Sequence, residues 1–198
     1  MPIAFQESET RINLMRAFAG ESQARNRYTF AASQAKQQQL HVLETVFKFT
    51  ADQELAHAKV FYDFLQTEEN QTVQFDAGYP VDLKGDMLEV LRAAQHNEME
   101  EHTDAYPSFA QVAEREGFPR IATAWKMIAE IEKTHADRFG NFANLLEKAQ
   151  LFADTQQVGW MCLNCGYIHT GKEAPSVCPV CAHNQGYFVR LDMAPYTK

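Results

Sequence analysis

Two glutamate–histidine pairs recur along the chain, Glu54-x-x-His57 and Glu132-x-x-His135. Side chains three apart on a helix lie about one turn from each other on the same face, so each pair can grip one cation. Glu21 precedes Glu54, and Glu98 precedes Glu132, by intervals that differ by a single position. The body therefore repeats one unit: a helix carrying Glu, followed by a helix carrying Glu-x-x-His. Two such units related by a pseudo-two-fold axis bring all six groups to one point. Carboxylates placed there offset the repulsion between two neighbouring divalent cations, and imidazole adds a ligand suited to iron. Several glutamates on inner helix faces would be costly without a metal or protons. A single Glu-x-x-His is common on solvated faces; repetition at matched spacing is what points to metal.

Neighbouring acids sort by angle. Glu130 lies about 200° around the helix from Glu132, and Glu100 the same from Glu98, so both are expected to face solvent or another subunit. His102 lies about 40° from Glu98 but about 100° from Glu101 and reads as a flanking residue. Glu101, three after Glu98, is one carboxylate more than a minimal dinuclear site needs. Placed near the same metal as His57, it would allow ligand exchange with oxidation state. Tyr28, two turns after Glu21, and Tyr106, beyond Glu101, either donate phenolic hydrogen bonds to a ligand carboxylate or to bound peroxide, or pack with their hydroxyls at a bundle end.

The second cluster is Cys162-x-x-Cys165-Gly166-Tyr167 followed by Cys178-Pro179-x-Cys181. Two such knuckles present four thiolates to one tetrahedral metal, iron or zinc. Four cysteines complete the site, so His169 and His183 are expected to be exposed rather than ligands. Trp160, Tyr167 and Phe188 are expected to shield the metal from water.

These residues need elements to hold them. The chain has 198 residues, 9 Gly and 7 Pro, and seven of those sixteen helix breakers lie from Gly159 onward with all four cysteines. The rest reads as four helices: Ser8 to Gln39, with Ser8 as cap; His41 to Thr67; Lys84 to Glu116, kinked at Pro107; and Arg120 to Ala149. Leu14, Ala17, Phe18, Glu21, Ala24, Arg25 and Tyr28 share one face of the first. Short connections within each pair and a long one between the pairs suit a four-helix bundle with one crossover. Residues 1–150 form this bundle, 151–158 a linker and 159–198 a small β-rich metal-knuckle domain. With 45% hydrophobic residues the chain can build a core. Its formal charge of −8 argues against nucleic acid as the default partner. No apolar run is long enough to span a bilayer, and the first residues do not resemble a secretory signal. The expected setting is the cytoplasm, where paired Cys-x-x-Cys motifs read as metal ligands before disulfides.

The combination resembles the rubrerythrin family over almost the whole chain. The resemblance rests on Glu21, Glu54-x-x-His57, Glu98-x-x-Glu101 with Tyr106-Pro107, Glu132-x-x-His135 and the two cysteine knuckles. It implies a ferritin-like di-iron bundle joined to a rubredoxin-like domain holding one iron. It implies a non-haem peroxidase that reduces hydrogen peroxide to water and serves in oxidative-stress defence. Electrons would come from reduced rubredoxin or an NAD(P)H-dependent reductase. By the resemblance, Glu54 and Glu132 bridge the irons, Glu21 and Glu101 are terminal on one, and Glu98 and His135 complete the other. His57 replaces Glu101 on reduction, and the chain forms homodimers. Two other readings compete: a ferroxidase or iron-storing ferritin-like protein, and a di-metal bundle with a zinc-ribbon binding module.

Overall fold

A computed structural model describes residues 3–66, 70–81 and 85–195. The bundle is built from α1 (Glu9–Gln37), α2 (His41–Leu65), α3 (Met87–Glu100), a π-helical turn (Glu101–Ala105), α4 (Tyr106–Glu116) and α5 (Pro119–Glu147). Ser8 caps α1, its hydroxyl accepting from the Arg11 amide at 3.1 Å. The helix ends expected at Thr67 and Lys84 lie outside the described residues. Of the expected inner face of α1, Phe18 is half-buried and Arg25 is exposed.

The interruption expected at Pro107 takes another form. Pro107 is the second residue of α4, and the turn before it is π-helical, with the Tyr106 amide donating to Glu101 O. Proline cannot donate to the carbonyl four residues back and its ring clashes with it. The wider π turn opens the ladder just before the proline.

Sequence and structure agree on an internal repeat with one extra position in its second half. Leu14, Ala17 and Glu21 recur at a constant offset as Leu91, Ala94 and Glu98. Tyr28, Ala32 and Ala35 recur as Tyr106, Ala110 and Ala113, at an offset longer by one. Ala51, Glu54, His57 and Phe61 keep that longer offset, recurring as Ala129, Glu132, His135 and Phe139. The change of offset falls on the segment containing the π turn, and a π turn is what a single insertion makes of a helix.

The core divides into two apolar clusters, one on each side of the polar layer. Tyr28, Phe47 and Phe139 pack at 5.0–6.0 Å on one side. Their repeat mates Tyr106, Trp125 and Phe61 lie on the other, with Phe61 at 5.6 Å from Tyr106 and 6.0 Å from Trp125. All six are essentially inaccessible to water. Among the described residues, no helix is long and apolar enough to cross a membrane.

The C-terminal unit is an antiparallel sheet of β1 (Ala153–Cys162), β2 (Ile168–Glu173) and β3 (Phe188–Arg190), with β1 in the centre. Trp160 faces His169 on one side and Arg190 on the other. Strand β1 begins inside the stretch expected to be linker. Leu151 is buried in the bundle core, Phe152 packs against both units, and Phe152 O accepts from the Ala174 amide at 2.9 Å. Polar 154–157 carry no strand pattern of their own and form an irregularity in β1: Ala153 pairs with Glu173, and pairing with β2 resumes only at Val158 opposite Gly171. The sheet docks on the start of α2, where the His41 and Tyr187 rings stack at 4.0 Å.

Candidate metal centres

Four of the five helices carry ligand candidates on the face between the two apolar clusters. Glu21 comes from α1, Glu54 and His57 from α2, Glu98 from α3, and Glu132 and His135 from α5. All six are buried. Glu21, Glu54, His57 and Glu132 each bring a donor atom within 4.8 Å of one another, and Glu54, Glu98, Glu132 and His135 do the same. Glu54 and Glu132 belong to both quartets.

His57 Nδ1 lies 2.9 Å from Glu132 Oε1, 3.2 Å from Glu54 Oε2 and 3.7 Å from Glu21 Oε2. His135 Nδ1 lies 2.8 Å from Glu132 Oε2, 3.0 Å from Glu54 Oε1 and 3.5 Å from Glu98 Oε2. These atoms are close but lack hydrogen-bond alignment: both Nδ1 atoms, both oxygens of Glu54 and Glu132, and Oε2 of Glu21 and Glu98 are buried without a hydrogen-bond partner. Such crowding of unpaired lone pairs is what a cation would satisfy, and oxygen with imidazole nitrogen is a donor set that iron accepts. Burial first, then the neighbouring carboxylates, push Glu21 well above the usual carboxylate range and Glu98 up to about 8. Burial acts the same way on Glu54, but the two imidazoles overcome it and hold that carboxyl at about 2.

Tyr28 donates to Glu98 Oε1, and Tyr106 donates to Glu21 Oε1. Each phenol therefore reaches across to the terminal carboxylate of the opposite half. Burial and the adjacent carboxylates push both phenols well above their ordinary range, so they are protonated donors.

Glu101 stands outside both quartets. It sits on the π turn, half-buried, on the wall of a cavity of about 300 Å³ shared with Arg16, Tyr79, Tyr106 and Phe109. Residues 76–80 strap this cavity: Arg16 Nε donates to Asp76 O at 3.0 Å, and Tyr79 Oη donates to Arg16 O at 2.7 Å. The strap has no periodic signal in the sequence. Glu100 and Glu130 are exposed, and His102 Nδ1 contacts Ala129 O at 2.8 Å.

In the C-terminal unit Sγ of Cys162 lies 3.7 Å from that of Cys181, and Cys165 lies 3.6 Å from Cys178. A tetrahedron with metal–sulfur bonds of about 2.3 Å has edges near ~3.8 Å, whereas a disulfide needs about 2.05 Å. The knuckles share one local geometry: Gly166 N donates to Cys162 O at 2.8 Å and Ala182 N to Cys178 O at 2.9 Å, with φ of 77° and 59°. The His183 amide holds the Cys181 thiol down at about 6. His183 and His169 are half-buried rather than exposed, because His183 contacts Cys181 O and the ring of Tyr187, and His169 is paired across the sheet from Trp160. Trp160 and Phe188 are fully buried beside Cys162 and Cys178, and Tyr167 is half-buried.

The Rubrerythrin family model matches residues 13–143, and the rubredoxin-like domain model of rubrerythrin matches residues 160–189. This chain belongs to the rubrerythrin family. It is 46% identical to a rubrerythrin of Porphyromonas gingivalis over 91% of this chain and 89% of that one. It is 44% identical to a rubrerythrin of Clostridium perfringens, covering 91% and 93% of the two chains. A mixed-valence structure of nigerythrin superposes with a TM-score of 0.61 at 27% identity, covering 91% of this chain and 86% of that one. The rubrerythrin cofactors are a di-iron centre and one iron in the rubredoxin-like domain, and the carboxylate–histidine quartets and the four thiols are the groups here that could hold them.

Proposed function

We propose that this chain reduces hydrogen peroxide to water at the centre of the bundle, with electrons relayed by its rubredoxin-like domain. The observation that carries the reading is the double reach of Glu54 and Glu132. Each turns one carboxylate oxygen to His57 Nδ1 and the other to His135 Nδ1, at 2.8–3.2 Å. Two shared carboxylates and two separate imidazoles are the donors of a bridged pair, not of two independent cations. Glu54 and Glu132 would be shared by the two irons, Glu21 with His57 or Glu101 would complete the set for one, and Glu98 with His135 the set for the other. His57 stands inside its quartet while Glu101 stands outside, which supports their acting as alternative ligands.

Peroxide cleavage consumes two electrons and two protons and yields two waters. Bound iron supplies the electron chemistry, the bridged pair holding two electrons and the thiolate site passing them singly. The rest is the work of the protein. Glu101 stands between the cavity and the buried carboxylates, where an incoming molecule arrives. Tyr28 and Tyr106 orient the terminal carboxylates by hydrogen bonds, as outer partners of ligands generally do. The two aromatic trios keep water from the polar layer except by the cavity. Cys162, Cys165, Cys178 and Cys181 hold the relay iron. Reduced rubredoxin or an NAD(P)H-dependent reductase supplies the electrons, and the chain acts as a cytoplasmic homodimer in oxidative-stress defence.

Stopped-flow mixing of anaerobic, iron-loaded, fully reduced protein with peroxide tests this. One peroxide should oxidise one di-iron centre, faster than dioxygen does, and an added reduced rubredoxin should sustain turnover. Preferential reaction with dioxygen, accompanied by iron accumulating in a multi-subunit shell, would overturn the peroxidase reading in favour of a ferroxidase.

A further inference from the structure

The internal repeat exposes a difference between its two halves. His135 Nε2 lies 3.1 Å from Gln53 Oε1. Arg138, one turn beyond His135 on α5, donates from the same guanidinium nitrogen to Gln53 Oε1 at 3.0 Å and to Thr50 Oγ1 at 2.9 Å. A guanidinium can only donate, so the amide oxygen of Gln53 must face it. The imidazole nitrogen that meets the same oxygen must then carry the hydrogen. The Nε2 hydrogen of His135 is thereby fixed, which leaves Nδ1, the nitrogen that faces Glu54, Glu98 and Glu132, as the one to bind a metal. The other half has no equivalent. The repeat mates of Thr50, Gln53 and Arg138 are Ile128, Ile131 and Val60, and none of these side chains can accept or donate a hydrogen bond.

We propose that Gln53 and Arg138 are positioning residues that lock His135 and make its half of the centre the fixed half, while His57 is left free to leave its metal. The proposal rests on the di-metal reading above and adds to it which imidazole is held and by what. Hydrogen-bond partners of ligand histidines set tautomer and ring orientation, and their loss weakens metal binding about ten- to a hundredfold. The ring of Phe49, 5.0 Å from the Arg138 guanidinium, packs this arm from outside.

Proton NMR of the protein loaded with two cobalt(II) ions in the bundle tests the lock without recourse to turnover. The wild-type chain should show one hyperfine-shifted imidazole N–H that exchanges slowly with solvent, assignable to His135, and a fast-exchanging one from His57. Gln53→Leu should abolish the slow signal, and one of two bound zinc ions should pass to a chelator about ten- to a hundredfold faster while the other keeps its rate. Gln53→Glu, which still accepts, should restore both. Ile131→Gln with Val60→Arg should create a second slow N–H at His57. Arg138→Leu serves as an independent route to the same loss should Gln53→Leu fail to fold by circular dichroism. Two bound cobalt ions with equally fast N–H exchange, or Gln53→Leu with both release rates unchanged, overturns the proposal alone. A bundle that takes up no metal pair overturns the di-metal reading beneath it.

Discussion

Each terminal carboxylate of the bundle site meets two kinds of neighbour: an imidazole within its own quartet and a phenol from the opposite half. The phenol matters because Glu21 and Glu98 are wholly buried, where an ionised carboxylate lacking hydrogen bonds is expensive. One oxygen of each is satisfied by tyrosine, leaving the other for a cation. Tyr106→Phe should remove that partner from Glu21 while keeping the ring packed on Phe61. Affinity of the Glu21 position for ferrous iron should fall about ten- to a hundredfold, read by competition with a chelator, with little change in melting temperature. Equal affinity in the variant would show that the phenol is packing only. At this scale much is legible in the sequence. Type and spacing point to both quartets and all four thiols, because ligands must share a face and helical periodicity reports faces. Gln53, Arg138 and Tyr79 escape such a reading, because a partner that meets its target across helices, or from an irregular strap, leaves no spacing signature within its own segment.

The π turn is the element-scale counterpart of the extra position between Glu98 and Glu132. It rotates Glu101 out of strict repeat with Ala24, so one half of the centre gains a carboxylate at the cavity wall where the other has a buried methyl. The proline locates a break in this helix, while the one-residue insertion behind the π turn is visible only once the two halves are aligned. A second element-scale device is the Glu116 carboxylate, at the end of α4, on the first amides of α1. It accepts from Glu9 N at 3.0 Å and from Thr10 N at 2.8 Å. A carboxylate at a helix start answers both the unpaired amides and the dipole. Burial alone would raise this carboxyl, but the Thr10 hydroxyl and the two amides hold it below its usual value. Its folded pKa is thus the lower one, so its contribution is complete above about pH 4.3 and is lost as pH falls through the folded value. Glu116→Gln should cost about 1 kcal/mol in urea unfolding at pH 7. The difference from wild type should shrink toward zero in acid; a difference that persists there would mean that the charge is not its source.

In the whole molecule the two units meet through apolar side chains, Val189, Met161 and Leu163 packing on the bundle core, and through one close backbone approach. Gly186 lies so close to the turn between α1 and α2 that a Cβ there would stand 1.7 Å from Gln39 O. Gly186→Ala should therefore lift the sheet from the bundle. Hydrogen exchange should speed up in β1 and β3 while amides of α3 and α5 keep their protection; unchanged exchange in the strands would place the contact elsewhere. The sequence indicates two units and reads 151–158 as a linker, but β1 begins within that stretch at Ala153, opposite Glu173, because 154–157 lack the alternation that marks a strand. The arrangement of the four thiols carries one last consequence. Cys165 is exposed and lies 3.6 Å from Cys178. Once they hold a metal, these sulfurs are sheltered ligands. Before that they are neighbouring thiols in a protein whose proposed substrate is an oxidant, and oxidation of one would join it to the other. On that reading a newly made chain must take up its thiolate iron before it first encounters peroxide, or lose the thiol site to the substrate proposed for it.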